Sequence, residues 1–160
     1  MAMTATPVFT QTPNVGALNA ILSTAMTTTS AFDGTAATGT SMALVYTAGA
    51  NGSRIDQITV RYASTNGAAA AGTSSASVIR FWINNASTNT TATNNIFLGE
   101  VLMAAQTVTA AGTTVLPIGA VSIPVGGLNL PAGYRIYAGS TVAAGGTSIA
   151  FAVNAIGGDY

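Results

Sequence analysis

The charged side chains of this 160-residue chain are few enough to name: Arg54, Arg61, Arg80 and Arg135 against Asp33, Asp56, Glu100 and Asp159. Histidine, cysteine and lysine are absent. Their absence removes the usual nucleophile–base pairs, the Schiff-base amine and the common zinc ligands. A glycosidase-like carboxylate pair could be drawn only from the four acids, and no spacing brings two of them together. Asp56 stands two residues from Arg54, where the two can pair at the surface of a strand. Calcium would need oxygen ligands from Asp33 or Asp159, and no DxDxDG-type loop surrounds either. The expectation is therefore a protein that is not an enzyme and carries no cofactor, no metal and no catalytic residue.

The remaining candidates are binding residues. Arg80 adjoins Phe81 and Trp82, and the arginine can simply stack, solvated, on Trp82. Trp, Tyr and Arg are also the types that anchor interfaces, which makes Arg80, Trp82, Tyr134, Tyr137, Tyr160 and Phe9 the candidate interface. Trp82, Tyr134 and Tyr137 could equally line a sugar-binding groove. Four scattered arginines balanced by four acids make no basic footprint for nucleic acid. Gly126-Gly127 and Gly145-Gly146 precede no helix and read as turns, not phosphate cradles.

Positioning these residues falls to strands. Hydrophobic residues are 49 % and charged residues 5 %, against about a quarter charged in an ordinary soluble domain. Thr, Ser, Asn and Gly interrupt the apolar residues, so no run reaches the roughly 20 residues of a spanning helix. The start, Met1 to Thr12, has neither a basic nor an apolar run and does not read as a secretory signal. Zero net charge offers little protection against self-association, so association by design is expected.

Residues 1–40 read as an N-terminal arm or edge strand, with Val8 and Phe9 extended before a Pro13-Asn14 turn, Leu18 to Thr29 helix or strand, and Ala31 to Thr40 a loop. Residues 41–160 read as the sandwich domain. Met42, Leu44 and Tyr46 alternate with Ala43, Val45 and Thr47, and Asn51-Gly52 supplies a tight turn. Ile58, Val60 and Tyr62 oppose Gln57, Thr59 and Arg61 at the period of a half-buried strand. Ser77 to Asn84 sets Ile79, Phe81 and Ile83 against Val78, Arg80 and Trp82. Large side chains on both faces predict a central strand partly covered on its second side. Ile96 to Ala104 places Phe97, Gly99, Val101 and Met103 opposite Ile96, Leu98, Glu100 and Leu102. Pro117, Pro124 and Pro131 suit short edge strands and corners. Tyr134 to Gly139 and Ser148 to Ala155 complete about eight strands. The fold expected is an all-β antiparallel sandwich, jelly-roll-like from the strand count or alternatively immunoglobulin-like.

Five stretches then occur in order: Gly49-Ala50-Asn51-Gly52-Ser53-Arg54-Ile55, Arg80-Phe81-Trp82-Ile83-Asn84-Asn85, Asn94-Asn95-Ile96-Phe97-Leu98-Gly99-Glu100-Val101, Leu130-Pro131-Ala132-Gly133-Tyr134-Arg135-Ile136-Tyr137 and Gly157-Gly158-Asp159-Tyr160. The set, from about residue 42 to the end, resembles small virion proteins of tailed bacteriophages. The alanine run at 68–71 and the lack of lysine depart from that pattern. The resemblance implies a capsid decoration or cement protein with a β-sandwich fold, on the capsid surface of a virion assembled in the host cytoplasm. Its partners would be the phage major capsid protein and copies of itself, as dimer or trimer, with neither nucleic acid nor membrane. The segment up to about residue 40 and the strand edges would supply the contacts. A glycan-recognising head-fibre or tail module, or a self-polymerising surface filament, are the other classes open to such a chain.

Overall fold

A computed structural model describes residues 12–14, 20–28, 30–32, 42–64, 72–88, 90–108, 118–121, 127–145 and 149–160. Phe9 and the Val8–Phe9 strand, Asp33, the alanines at 68–71, Pro117, Pro124, Gly126 and Gly146 lie outside the described residues.

The described chain is built from strands, and its one helical element is a 3-10 turn at Ala92–Asn94. In order the strands are β1 (Thr12–Asn14), β2 (Ala20–Leu22), β3 (Ala43–Thr47), β4 (Ser53–Ser64), β5 (Gly72–Thr73), β6 (Ser77–Asn84), β7 (Asn95–Met103), β8 (Thr107–Val108), β9 (Ile118–Val121), β10 (Leu128–Leu130), β11 (Arg135–Ser140) and β12 (Ile149–Asp159). One sheet has β12 and β4 at its centre. β1 and β2 run in succession along the far side of β12, and β9 and β10 along the far side of β4. The second sheet runs β3-β11-β6-β7. All ladders between strands are antiparallel.

Counting each interrupted edge once leaves eight strand positions, four per sheet. The chain passes between the sheets at β2–β3, β3–β4 and β4–β6, and again at β7–β9, β10–β11 and β11–β12. That alternation, with β12 returning beside β2, is the double Greek key of a jelly roll and not the immunoglobulin order. The small β5–β8 pair lies outside both sheets.

Between the sheets sit Ile55, Ile58, Val60 and Phe151 from one and Val45, Tyr46, Ile79, Phe81 and Ile136 from the other, all fully buried. Alternation alone explains Ile58, Val60 and Tyr62. Ile55 joins them because the β4–β12 ladder slips where Ile156 pairs with Gln57 and Gly157 with Ile55, leaving Asp56 unpaired between them. Such a bulge lets residues three apart face one way. The Asn51-Gly52 turn forms as expected, with Gly52 at φ 92° and its N–H donating to the Gly49 carbonyl at 3.0 Å.

Two expectations need correcting. Pro13-Asn14 is no turn but part of β1, paired with Gly157–Gly158. It sits on an edge, where a proline without an N–H does no harm to the ladder. The two-residue alternation across β7 also fails. Phe81 pairs with Gly99 but Trp82 pairs with Phe97, so Leu98 is the extra residue. Leu98 packs toward the core with Val101, while Phe97 crosses to the outer face beside Trp82.

Candidate functional site

The face that collects the chemistry-bearing residues is the outer surface of the β3-β11-β6-β7 sheet. Ile79 and Phe81 of β6 fill the core, so Arg80 and Trp82 must point outward. Pairing with β11 sets Tyr137 beside Trp82, and pairing with β7 sets Glu100 beside Arg80. The Arg80 Nε donates to Glu100 Oε2 at 3.1 Å, an exposed cross-strand ion pair. Such a pair contributes about 0–1 kcal/mol, so it orients the guanidinium more than it stabilises the fold.

Residues 24–28 and 30–32 lie across this face. The Met26 N–H donates to the Ser140 carbonyl at 2.7 Å, and Ser140 Oγ donates to the Thr24 carbonyl at 2.8 Å. Phe32 meets Trp82 edge-on at 5.6 Å between ring centroids and Tyr137 at 6.0 Å. Phe97 meets Trp82 at 6.0 Å, again near perpendicular. Edge-to-face rings of this kind add about 0.5–1.5 kcal/mol beyond their burial. Beside them is a shallow, open cleft of about 340 Å³, lined by Met26, Thr27, Thr28, Met42, Arg80, Trp82 and Thr141.

At the margin of the same sheet, β7 has no described strand on its outer side. Ile96, Phe97 and Leu102 are 64 %, 54 % and 67 % exposed. The one charge on the strand, Glu100, is already met by Arg80. An apolar edge of nine residues with its charge neutralised is a surface for strand addition or apolar docking.

No protein-family model, curated protein or solved structure matches the chain.

Of the six residues chosen from sequence, Arg80, Trp82 and Tyr137 share this face, but Tyr137 is covered, at 2 % exposed. Tyr134 sits at the Pro131–Gly133 corner, partly buried against the core. Tyr160 lies at the end of the other sheet, its hydroxyl donating to Asn129 Oδ1 at 2.7 Å. Phe9 lies outside the described residues. Residue type and spacing do not single out Phe32, Phe97, Ile96 or Leu102 for this face. Phe97 was hidden by the bulge, which no period-two pattern reveals. Phe32 reaches the face only through the crossing of its segment.

Among the described residues the acids do not gather. Arg54 and Asp56 form an exposed pair at 2.8 Å. Asp159 is instead saturated by its own fold. Its Oδ1 accepts from Asn14 Nδ2 at 2.9 Å, from the Tyr46 hydroxyl at 3.3 Å and from Ser53 Oγ, and Oδ2 accepts from Asn14 Nδ2 at 3.0 Å. Burial works to raise this carboxyl, but the bonds from Ser53, Asn14, the Gly49 N–H and Tyr46 outweigh it and hold it below the ordinary value. Burial likewise pushes the Tyr46 hydroxyl up, so it stays a donor. Among the described residues no group of three or more acids gathers to hold a metal, and no helix is long and apolar enough to cross a membrane.

Proposed function

We propose that this chain is a structural protein of a tailed-phage virion, a capsid decoration or cement protein. It sits on the capsid surface after assembly in the host cytoplasm, with the major capsid protein and copies of itself as partners. The observation that carries this reading is the β7 edge, where three large apolar side chains stand exposed on one strand. The two-sheet sandwich behind it carries this edge, and fold alone assigns no function. A weakly charged surface suits the role, because docking it removes few charges from water. The ordered set of five sequence stretches points the same way.

The test is rebinding to phage shells stripped of accessory proteins. Wild-type protein is expected to cosediment with the shells and raise their melting temperature. Replacing Ile96 and Leu102 together by aspartate is expected to weaken binding about tenfold or more, since each charge would be desolvated at the contact. Both side chains are exposed, so the variant's own melting temperature should stay near wild type. Undiminished binding of the double variant, or no binding by the wild type, would refute the docking assignment.

A further inference from the structure

We propose that residues 24–28 and 30–32 form a strap that opens as one piece while the sandwich stays folded, uncovering Tyr137 and Trp82 next to the β7 edge. The strap meets the outer face at two anchors. At the first, Ala25 makes an isolated bridge with Ser140 of β11, outside any ladder, and the Met26 N–H holds the Ser140 carbonyl. Gly139 makes room for the Met26 side chain, because a Cβ there would collide with the Met26 sulfur and stand 2.6 Å from Met26 Cγ. At the second, Phe32 sets its ring against Trp82 and Tyr137, and the Met42 N–H donates to the Ala31 carbonyl at 2.7 Å. Between the anchors Thr27 and Thr28 are exposed. There the Thr27 N–H donates to Ser30 Oγ at 2.7 Å and the Ser30 N–H to the Thr27 carbonyl at 3.1 Å, a local turn.

A segment held in this way opens at lower free energy than a long ladder. β4 and β12 pair over eleven positions, with Val60, Phe151 and Val153 fully buried between the sheets. The strap belongs to none of the sheet ladders, so lifting it leaves both sheets intact. What opening bares follows from the registers. Tyr137 pairs with Trp82, and Trp82 with Phe97. Tyr137 is covered yet stands apart from the core cluster between the sheets, and Phe32 is the ring of the strap that meets it. Withdrawing Phe32 joins Tyr137 and Trp82 to exposed Phe97 as one aromatic strip. The open form therefore presents the larger apolar surface at the edge assigned above to capsid docking. That consequence rests on the docking reading; the opening itself does not.

The test weakens each anchor in turn and watches the other. In native-state hydrogen exchange of the full-length protein, the Met26 amide is expected to exchange at least about tenfold faster than amides of the β4–β12 ladder. Its rate should change little in low urea, since opening exposes little surface. Exchange at the ladder's rate and urea slope would mean that the strap leaves only on global unfolding, and would overturn the proposal. Phe32→Ala is expected to speed Met26 exchange about tenfold, through loss of its ring contacts at the far anchor. Gly139→Ala, which evicts Met26, is expected to raise acrylamide quenching of Trp82, the sole tryptophan, at unchanged far-UV circular dichroism. Absence of either far-anchor effect would show two separate contacts and overturn the single strap. Should Gly139→Ala fail to fold, Phe32→Ala decides alone. On stripped shells Phe32→Ala is expected to bind about threefold or more tighter than wild type, because the open form is more populated. Equal or weaker binding beside faster exchange would overturn the link to docking. No binding by wild type would overturn the docking reading and that link with it, while exchange still decides the opening.

Discussion

Gly157→Ala is expected to destabilise the fold by about 3–4 kcal/mol, at the upper end of what overpacking costs. A Cβ at this position would run into the Arg54 carbonyl oxygen, with the Arg54 carbonyl carbon and the Ile55 Cα each at 3.0 Å. These are backbone atoms of the neighbouring strand, so no rotamer change relieves the contact. The crowding has a cause in the ladder. At the β4 bulge Gly157 takes Ile55 as its partner and skips Asp56, and the kink brings the β4 backbone against β12. Relief would require separating the two central strands of the larger sheet, next to fully buried Ile55. Urea unfolding of Gly157→Ala against wild type checks this, and a loss below about 1 kcal/mol would show that the bulge can relax.

Asp159→Asn is expected to cost about 2–3 kcal/mol, because hydrogen bonds to a charged acceptor are the stronger kind. The carboxylate joins Asn14 of β1, Ser53 of β4 and, across the sandwich, Tyr46 of β3. An amide keeps one acceptor but turns an NH2 group toward a donor, leaving donors facing one another. For a domain of this size the loss corresponds to a melting temperature lower by roughly 5–10 °C. The pH dependence follows from the sign of the shift. The folded carboxyl is held below its unfolded value near 3.8, so its stabilisation is complete above that value and is lost as pH falls through the folded pKa. Wild type should therefore lose stability more steeply than Asp159→Asn below about pH 4. Parallel melting curves from pH 7 to pH 2.5 decide it, and identical acid slopes would remove Asp159 as the cause.

The fold was largely legible in the sequence where a strand has one dry face and a regular ladder. Alternation sets Ile58, Val60 and Tyr62 on one face of their strand, and that face is buried. The two-sided pattern of Ser77 to Asn84 predicted a central, partly covered strand. β6 is that strand, with β11 and β7 on its flanks and Phe32 over Trp82. The strand count favours a jelly roll over the immunoglobulin order, and the strand order agrees, but which strands pair is not legible in a count. The site was legible in part. Arg80 and Trp82 announced themselves by residue type, but the exposed edge did not. One extra residue at Leu98 reverses the faces of everything before it, and local composition carries no trace of the slip.

The sequence by itself determined the strand content, the turn at Asn51-Gly52 and the poverty of charged chemistry, since these depend on side-chain type and short-range period. Only the tertiary structure decided where Asp159 went. In sequence it was a lone acid near the end, open to reading as a metal ligand. Folded, it meets Asn14, 145 residues away, and Tyr46, 113 residues away. Such contacts arise from strand register across two sheets, and register is set by the whole ladder with its bulges. The same long-range pairing places Phe97 and Phe32 against Trp82 and leaves Ile96 and Leu102 in water. The candidate docking edge is therefore a product of topology acting on residues whose types alone were visible beforehand.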